Sequence, residues 1–590
     1  MFLILMLISG GTDSQAQQLQ KGPAHVFITA GQSNTDGRVS NRLLPSYIKA
    51  LSKDTSYNTG SYRFCKVVQN NTSGRFEPYW PKGRITGGLW TYDAIIYYLL
   101  EQSLKEDFYV VKYAVGGTSI GYPDDSSKGR YWSANPRWLA QTQSTEKGGK
   151  SLLLSFTETI NAAIDQTLSK LDRGYQVDAF FWHQGESDDR YAGDYYDNLK
   201  AVVQYVRRHL TQKTGKDYYQ LPFILGSIPK SNRHYKPEIE AAMQRLANED
   251  AQVFLVDMSA GELQKDRTHF NERSAEYLGK EMYKIAAQQL DMSAIPFRIA
   301  RYKDDKAAAI SYTFDDGLKE HYTWVAPRLK QLGFKGTFWI NGSKINDPNH
   351  PGKDTTRMTW AELKDMATAG HEISNHGWAH KNFGRFSLEE IREDIEKNDS
   401  AILANIGIPS QTFCYPNNTK TPEGIKLASV NRVGTRTEQR SVGGKSTHEN
   451  LDKWVNELIR SRGWGVTMTH GIHYGYDHFS DPAILWEHLK KVKVLEDKIW
   501  VGTFKEVMAY TKERDAVRYT LKTKKDGIEI TPQLVLDKAL FNQPLTGVID
   551  RPVKKVQIRQ GKSNLTPRIQ ENKVLFNFDP FGGVIDVSYK

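Results

Sequence analysis

Twice along this 590-residue chain, short apolar runs alternate with longer segments of helical period, and that double series limits the fold more than any other feature. In the first series the runs are 25–30 (HVFITA), 108–115 (FYVVKYAV), 177–182 (VDAFFW), 221–228 (LPFILGSI) and 252–257 (QVFLVD), with helical patterns such as 151–171 and 195–210 between them. Strands that are apolar on both sides and separated by helices belong to a parallel sheet covered on both faces. At 291–306 a proline and a cluster of charges break the pattern, which marks a domain boundary. The second series runs through 307–314 (AAAISYTF), 335–340 (KGTFWI), 371–376 (HEISNH), 411–415 (QTFCY) and 464–469 (WGVTMT). Beyond about 513 the helical pattern stops, and β-like runs at 528–536, 553–559 and 573–578 predict a small all-β region.

Composition excludes several classes. The net charge is +11, but +5 of it sits in residues 513–590, which hold 14 basic and 9 acidic side chains, and no Lys/Arg-rich tract marks a nucleic-acid partner. The two cysteines, Cys65 and Cys414, form neither a disulfide framework nor a Cys/His zinc cluster. Residues 2–9 (FLILMLIS) are too short to span a bilayer and precede Ser14-Gln15-Ala16, a small-x-small cleavage site. Residues 1–16 therefore read as a secretory signal peptide, without a membrane anchor, and the chain is expected to be secreted or periplasmic.

The strand at 25–30 runs into Gly31-Gln32-Ser33-Asn34, and the carboxyl end of a first parallel strand is where an open α/β sheet exposes reactive groups. Thr35 stands where the G-x-S-x-G elbow needs glycine, so that motif is absent. Three more strand ends carry chemistry: Gly116-Gly117-Thr118, then His183-Gln184-Gly185-Glu186-Ser187-Asp188, then Asp266-Arg267-Thr268-His269. A serine nucleophile needs a base within reach and an acid that fixes the imidazole, and Asp and His three apart on one loop supply both. Gly117 N–H and the Gln184 amide are available as oxyanion donors, and Glu186 is a second candidate to assist His269.

GQSN, GGTSI, WHQGESD and DRTH, in that order over about residues 24–290, resemble the SGNH-type esterases of the acetylxylan esterase and sialate O-acetylesterase group, carbohydrate esterase family six. The resemblance implies a three-layer, flavodoxin-like domain with Ser33 as nucleophile, His269 as base and Asp266 as its orienting acid. It also implies an oxyanion hole from Ser33 N–H, Gly117 and Gln184, and no metal.

The second series opens on Thr313-Phe314-Asp315-Asp316-Gly317. Adjacent carboxylates at a strand end point in different directions, so one can bind a metal while the other acts as a base. His376 and His380 lie four apart, and two neutral imidazoles with one carboxylate suit zinc or a similar divalent ion. HExxH is absent, because the histidine after His371-Glu372 is at 376. TFDDG, GHEISNHGWAH, FCYPNN and MTHGIH, spanning 307–473, resemble the polysaccharide deacetylases of the NodB-homology group, carbohydrate esterase family four. The resemblance implies a distorted (β/α) barrel in which Asp316, His376 and His380 bind the metal, Asp315 is the general base, His470 the general acid, and Tyr415 lies at the substrate. Zinc is the expected ion, with cobalt, nickel or manganese as alternatives. Three departures stand out: Gly377 replaces a Ser or Thr, Met468 replaces a Leu, and Phe413-Cys414-Tyr415-Pro416 lacks the Arg that commonly sits beside the base. Arg436, in the following segment, is the candidate to replace it.

The expected organisation is an α/β chain: signal peptide 1–16, SGNH-type domain 17–293, NodB-type domain 297–512 and β-rich accessory region 513–590. The expected activity is deacetylation of acetylated polysaccharide, acetylxylan first. The alternatives are a sialate or peptidoglycan O-acetylesterase coupled to an amino-sugar N-deacetylase, or a polysaccharide-binding protein with decayed sites. Trp132, Trp138, Trp182, Trp378 and Trp464 are candidates for a sugar platform.

Overall fold

A computed structural model of the chain describes residues 22–51, 61–81, 88–123, 129–293, 295–346 and 354–589. The expected signal peptide lies outside the described residues.

The first domain is built on a seven-stranded sheet, beside a separate antiparallel pair, Val39–Ser40 with Leu89–Trp90. Its strands are β1 (Ala24–Gly31), β2 (Cys65–Gln69), β3 (Glu77–Pro78), β4 (Phe108–Ala114), β5 (Tyr175–His183), β6 (Phe223–Gly226) and β7 (Val253–Val256), in the order β3-β2-β4-β1-β5-β6-β7. All pairings are parallel except that of β2 with β3. The run HVFITA carries apolar side chains on both faces because both faces are buried. Val26, Ile28 and Ala30 pack on α3 (Leu152–Gln166), α4 (Tyr195–Thr214) and α5 (Pro237–Glu249), while Phe27 packs on α2 (Tyr92–Leu104) and α6 (Glu272–Ser293). The result is the expected three-layer sandwich. The lysine inside FYVVKYAV is accommodated by charge: Lys112 Nζ lies 2.6 Å from Asp93 Oδ2, both fully buried.

A short strand, β8 (Phe297–Ile299), leads into the second domain. The run AAAISYTF is interrupted at Tyr312 and forms two strands, β9 (Ala308–Ser311) and β10 (Thr313–Asp315). They are followed by β11 (Thr337–Ile340), β12 (Glu372–Asn375), helix α7 (Leu388–Ile406), β13 (Thr412–Cys414), β14 (Gly434–Arg436) and β15 (Arg440–Ser441). Helix α8 (His448–Ser461), β16 (Trp464–Met468), β17 (Ile499–Val501) and helix α9 (Phe504–Ala516) complete the domain. Two parallel sheets, β10-β11-β12-β13-β14 and β15-β16-β9-β17, meet where Phe314 bridges Thr469, giving a curled barrel as expected.

The remaining strands are β18 (Arg518–Lys524), β19 (Gly527–Gln533), β20 (Leu545–Ile549), β21 (Val556–Gln560), β22 (Ser563–Leu565), β23 (Arg568–Gln570), β24 (Lys573–Phe578) and β25 (Ile585–Tyr589). They form two antiparallel sheets, β18-β19-β25-β21-β22 and β8-β20-β24-β23. Phe297, Ile528, Ile558, Phe576 and Val587 share their core. The expected boundary at 297 is therefore corrected for β8: Phe297 pairs with Ile549, so this strand belongs to the sandwich although it precedes the barrel in sequence.

The two α/β domains meet through the amino ends of their strands. Ala251 N–H, just before β7, donates to Asp515 O at the end of α9 (2.7 Å), and Tyr219 OH, just before β6, donates to Ser461 O, just before β16 (2.9 Å). Arg518, which opens β18 of the sandwich, adds bonds to Ala251 O and Ala247 O (3.1 and 2.9 Å). Open sheets and barrels bind their ligands at the carboxyl ends of the strands. The two mouths consequently face away from each other.

Candidate active sites

Ser33 follows β1, the strand at which the order of the first sheet reverses direction. The turn that delivers it needs Gly31: a Cβ there would come 2.2 Å from His183 O, and its φ is +149°. Ser33 is buried to 7% exposure, and Gly116 lies against it, since a Cβ on Gly116 would fall 3.3 Å from Ser33 Cβ. Next to it Gly117 adopts φ +70° with open space where a side chain would be. The loop with the base is docked on this turn by Asn34, whose Oδ1 accepts Phe270 N–H (3.0 Å) and whose Nδ2 donates to Thr268 O (3.3 Å). Asp266 accepts the N–H groups of Thr268 and His269 (2.9 and 3.0 Å) through Oδ1 and meets His269 Nδ1 at 2.6 Å through Oδ2. Burial pushes the Asp266 carboxyl up, but those N–H groups and the imidazole outweigh it and hold it below the ordinary range. With Nδ1–H committed to Asp266, Nε2 is the lone pair His269 presents.

The motif WHQGESD has a different part from the one expected. The Gln184 amide nitrogen donates to Thr118 O (3.1 Å) and to Asp188, which uses both of its hydrogens, so its side chain is not left to bind an oxyanion. Glu186 is buried behind the nucleophile turn, bonded to His183 Nε2 (2.9 Å), Asn34 Nδ2 (2.7 Å) and Gln32. Burial raises its carboxyl, but the His183 charge and bond outweigh it and hold it low. Asp188 accepts Ile120 and Gly121 N–H (3.0 and 2.8 Å). The motif thus braces the GQSN turn through Glu186 and the GGTSI loop through Asp188.

In the barrel the two adjacent carboxylates diverge. Asp316, at φ +74°, sits with His376 Nε2 and His380 Nε2 each 3.7 Å from its Oδ1, and that oxygen is buried without a hydrogen-bond partner. His380 also has positive φ, +57°, a strained backbone of the kind that persists where surrounding structure over-determines it. Nδ1 of His376 is 2.9 Å from Cys414 O, so its proton is fixed there and Nε2 faces Asp316. Burial, then the neighbouring His376, bring His380 down to about 4. Burial pushes Asp316 up, but His376, His380 and His470 outweigh it and bring it to about 2. One carboxylate and two neutral imidazoles converging on an orphaned buried oxygen fit a divalent metal.

Asp315 points the other way. Arg436 binds it with both terminal nitrogens, Nη1 to Oδ1 at 2.8 Å and Nη2 to Oδ2 at 2.5 Å, and the pair is almost fully buried. Arg436 ends β14, directly opposite Cys414 in the β13–β14 register. The arginine missing from FCYP is therefore supplied one strand over. Burial raises Asp315, but Arg436 leads the charges that hold it below the ordinary carboxylate range. His470 Nε2 is 3.8 Å from Asp315 Oδ2, and the loop carrying His470 is fixed by His321 Nε2 on His470 O (2.8 Å) and by Glu320, which accepts Ile472 and His473 N–H.

The departure at Gly377 has a physical cause, and the expectation for Tyr415 is corrected. Gly377 has φ +76°, and a Cβ there would come 2.4 Å from Asp394 Oδ2; Asp394 accepts Ala379 N–H (2.7 Å) and holds the loop between the two histidines. Tyr415 does not face the site: its ring packs against Phe383 and Phe413, and its hydroxyl donates to Thr435 Oγ1 (2.8 Å). Of the tryptophans, Trp132, Trp138 and Trp182 are core residues, Trp464 packs on Phe504, and Trp378 is half-buried against Gly342. Exposed rings at the His470 loop come instead from residues the sequence did not single out, Tyr476 and Trp324.

Residues 23–288 match the family "carbohydrate esterase, sialic acid-specific acetylesterase", and residues 302–434 match "polysaccharide deacetylase". The chain joins a domain of each family, both of the carbohydrate-esterase class. It is 25% identical over 290 residues to a gellan lyase of a Bacillus species (42% of this chain, 11% of the relative). It is 29% identical over 168 residues to the peptidoglycan-N-acetylglucosamine deacetylase PgdA of Listeria monocytogenes (28% and 32%). It is 26% identical over 107 residues to a bifunctional xylanase/deacetylase of Pseudobutyrivibrio xylanivorans (18% and 16%). The chain spans less than two thirds of each of these relatives. Solved structures similar to it include an Arabidopsis thaliana protein (18% identity, TM-score 0.32, 45% of this chain and 98% of that one). A family 4 acetyl xylan esterase from Clostridium thermocellum is another (22% identity, TM-score 0.25, 34% and 89%). No helix among the described residues is long and apolar enough to cross a membrane.

Proposed function

We propose that the chain is an exported hydrolase that removes acetyl groups from acetylated plant polysaccharide, acetylxylan first, with two unlike sites. The observation that carries this reading is that each domain holds a separate proton-handling pair: His269 on Asp266, and His470 beside an Asp315 fixed by Arg436.

At the first site Ser33 Oγ attacks the acetyl carbonyl as His269 Nε2 takes its proton, and Asp266 stabilises the imidazolium. Backbone N–H groups of Ser33 and Gly117 serve the oxyanion. His269 returns the proton to the leaving sugar oxygen, and a water, deprotonated by His269 in turn, releases acetate from the acyl-serine.

At the second site Asp316, His376 and His380 would hold a divalent ion, zinc by the donor set, with cobalt, nickel or manganese as alternatives. Bound there, such an ion polarises an acetyl carbonyl and acidifies water. Asp315 accepts the proton of the attacking water, Arg436 keeps that carboxylate ionised, and His470 donates to the leaving oxygen or nitrogen.

The relative named as a bifunctional xylanase/deacetylase favours xylan, whereas the peptidoglycan deacetylase relatives favour a second reading, N-deacetylation of an amino sugar at the barrel site. Acetate release from acetylxylan, 9-O-acetylated sialic acid and N-acetylated chitotetraose by Ser33→Ala and Asp315→Ala variants separates them. Release from acetylxylan by each single variant and none by the double variant is expected. Release by Ser33→Ala from chitotetraose alone would give the barrel to the second reading.

A further inference from the structure

Tyr476 is 73% exposed on a tightly fixed loop. Gly471 N–H donates to Tyr476 O (3.1 Å), Gly475 turns the chain at φ +93°, and His478 Nδ1 meets Gly475 O at 2.9 Å. A Cβ on Gly471 would fall 2.0 Å from Tyr474 O, so the turn closes only around glycine. From the other side Glu320 clamps the N–H groups of Ile472 and His473. The ring is thus held in place by backbone, and its neighbour is His470: the centroids are 5.0 Å apart at 85°. A second exposed ring, Trp324, stands 5.0 Å from the His473 ring on the same loop, and it sits on a five-residue π-helix, a distortion frequent at functional sites.

We infer that Tyr476 forms a sugar-binding subsite of the barrel, packing against the apolar C–H face of the pyranose whose oxygen or nitrogen receives the proton from His470. This rests on the role proposed above for His470. The core does not need the ring, because most of its surface is in water, and it lies edge-on against the His470 ring. A flat, rigid aromatic face with a polar tip suits a sugar, which is apolar on one face and polar at its rim. A small acetate ester has no second ring to cover the tyrosine.

The test uses the full, zinc-loaded chain with Ser33→Ala, so that only the barrel turns over, and compares it with the same chain carrying Tyr476→Ala or Tyr476→Phe. On partially acetylated xylotetraose and on N-acetylated chitotetraose, Tyr476→Ala is expected to raise KM about tenfold, equivalent to about 1.4 kcal/mol, with the loss falling on KM and not on kcat. Tyr476→Phe should restore most of it. A fall in kcat at unchanged KM would mean that the ring only positions His470, and no change would mean that it binds nothing; either result overturns the inference. Should the parent release acetate from neither glycan, the proposed function fails, and calorimetric binding of xylotetraose and chitotetraose then decides the subsite. Weaker binding by Tyr476→Ala than by the parent would uphold it, and equal binding, or none by either, would overturn it.

Discussion

Each of the two α/β domains buries a lysine or arginine completely against an aspartate, and these two pairs differ in what they are placed to do. Lys112 and Asp93 meet in the first domain with neither exposed, and Asp93 also accepts the Tyr79 hydroxyl (3.2 Å). Asp315 and Arg436 meet at the carboxyl end of the barrel strands, 3.8 Å from His470 and Cys414. A buried pair contributes little net stability, and breaking one strands a charge in either place. Only the second stranding reaches a proposed catalytic group. The first domain instead builds its chemistry from an aspartate on the surface side of His269 and leaves its buried carboxylates, Glu186 and Asp188, as braces.

The largest effect expected from this contrast is on metal content. His376→Ala should take bound zinc from about one ion per chain to near zero, because a three-donor site loses a third of its ligands, while Ser33→Ala keeps it. Mass spectrometry of desalted protein reads this directly. Next come the ion pairs. Lys112→Met and Arg436→Met should each cost about 3–5 kcal/mol of stability, visible as a lower Tm. Arg436→Met alone should also cut the chelator-sensitive acetate release about 100-fold, as expected for a misplaced general base. Equal loss of that activity in Lys112→Met would break the comparison.

A smaller effect tests the opposed mouths. An equimolar mixture of Ser33→Ala and His376→Ala chains, at twice the total concentration, should match the wild type within about twofold on doubly acetylated oligosaccharide, since no intermediate passes between sites. A faster wild type would mean transfer between them. The smallest effect concerns the junction of barrel and sandwich. Glu513 on α9 accepts Gln543 N–H (2.9 Å) through one oxygen while the other is buried without a partner, and burial raises it to about 7. Because the folded value is raised, the protonated form contributes stability below the ordinary carboxylate range, and that contribution is lost as pH rises through about 7. Glu513→Gln should therefore match the wild type at pH 5 and exceed its Tm by about 2–4 °C at pH 8.

Much of this fold was legible because buried parallel strands are apolar on both faces: HVFITA and VDAFFW could be read as strands without any alignment. Strands with mixed or short patterns were not, as with Cys65–Gln69, interrupted by Lys66, and Gly434–Arg436, three residues ending in a charge. From sequence the strand Phe297–Ile299 reads as part of the barrel unit, because its partner lies some 250 residues downstream and strand pairing over that distance leaves no local signal. Residue types suited to chemistry were visible; their hydrogen-bond commitments were not. Gln184 reads as available in sequence, but both its amide hydrogens are taken by Thr118 and Asp188; Tyr415 reads as a site residue, but its ring packs on Phe383 and Phe413. Arg436 was traceable because a buried carboxylate needs a cation, but its place opposite Cys414 required the strand register.

The central claim, two chemically independent deacetylating sites in one chain, is tested most directly by crossing Ser33→Ala with chelator and measuring acetate release from acetylated glycan. The account predicts partial release by wild type with chelator and by Ser33→Ala without it, and none by Ser33→Ala with chelator. Release that persists in Ser33→Ala with chelator, or wild-type release abolished by chelator alone, would contradict it.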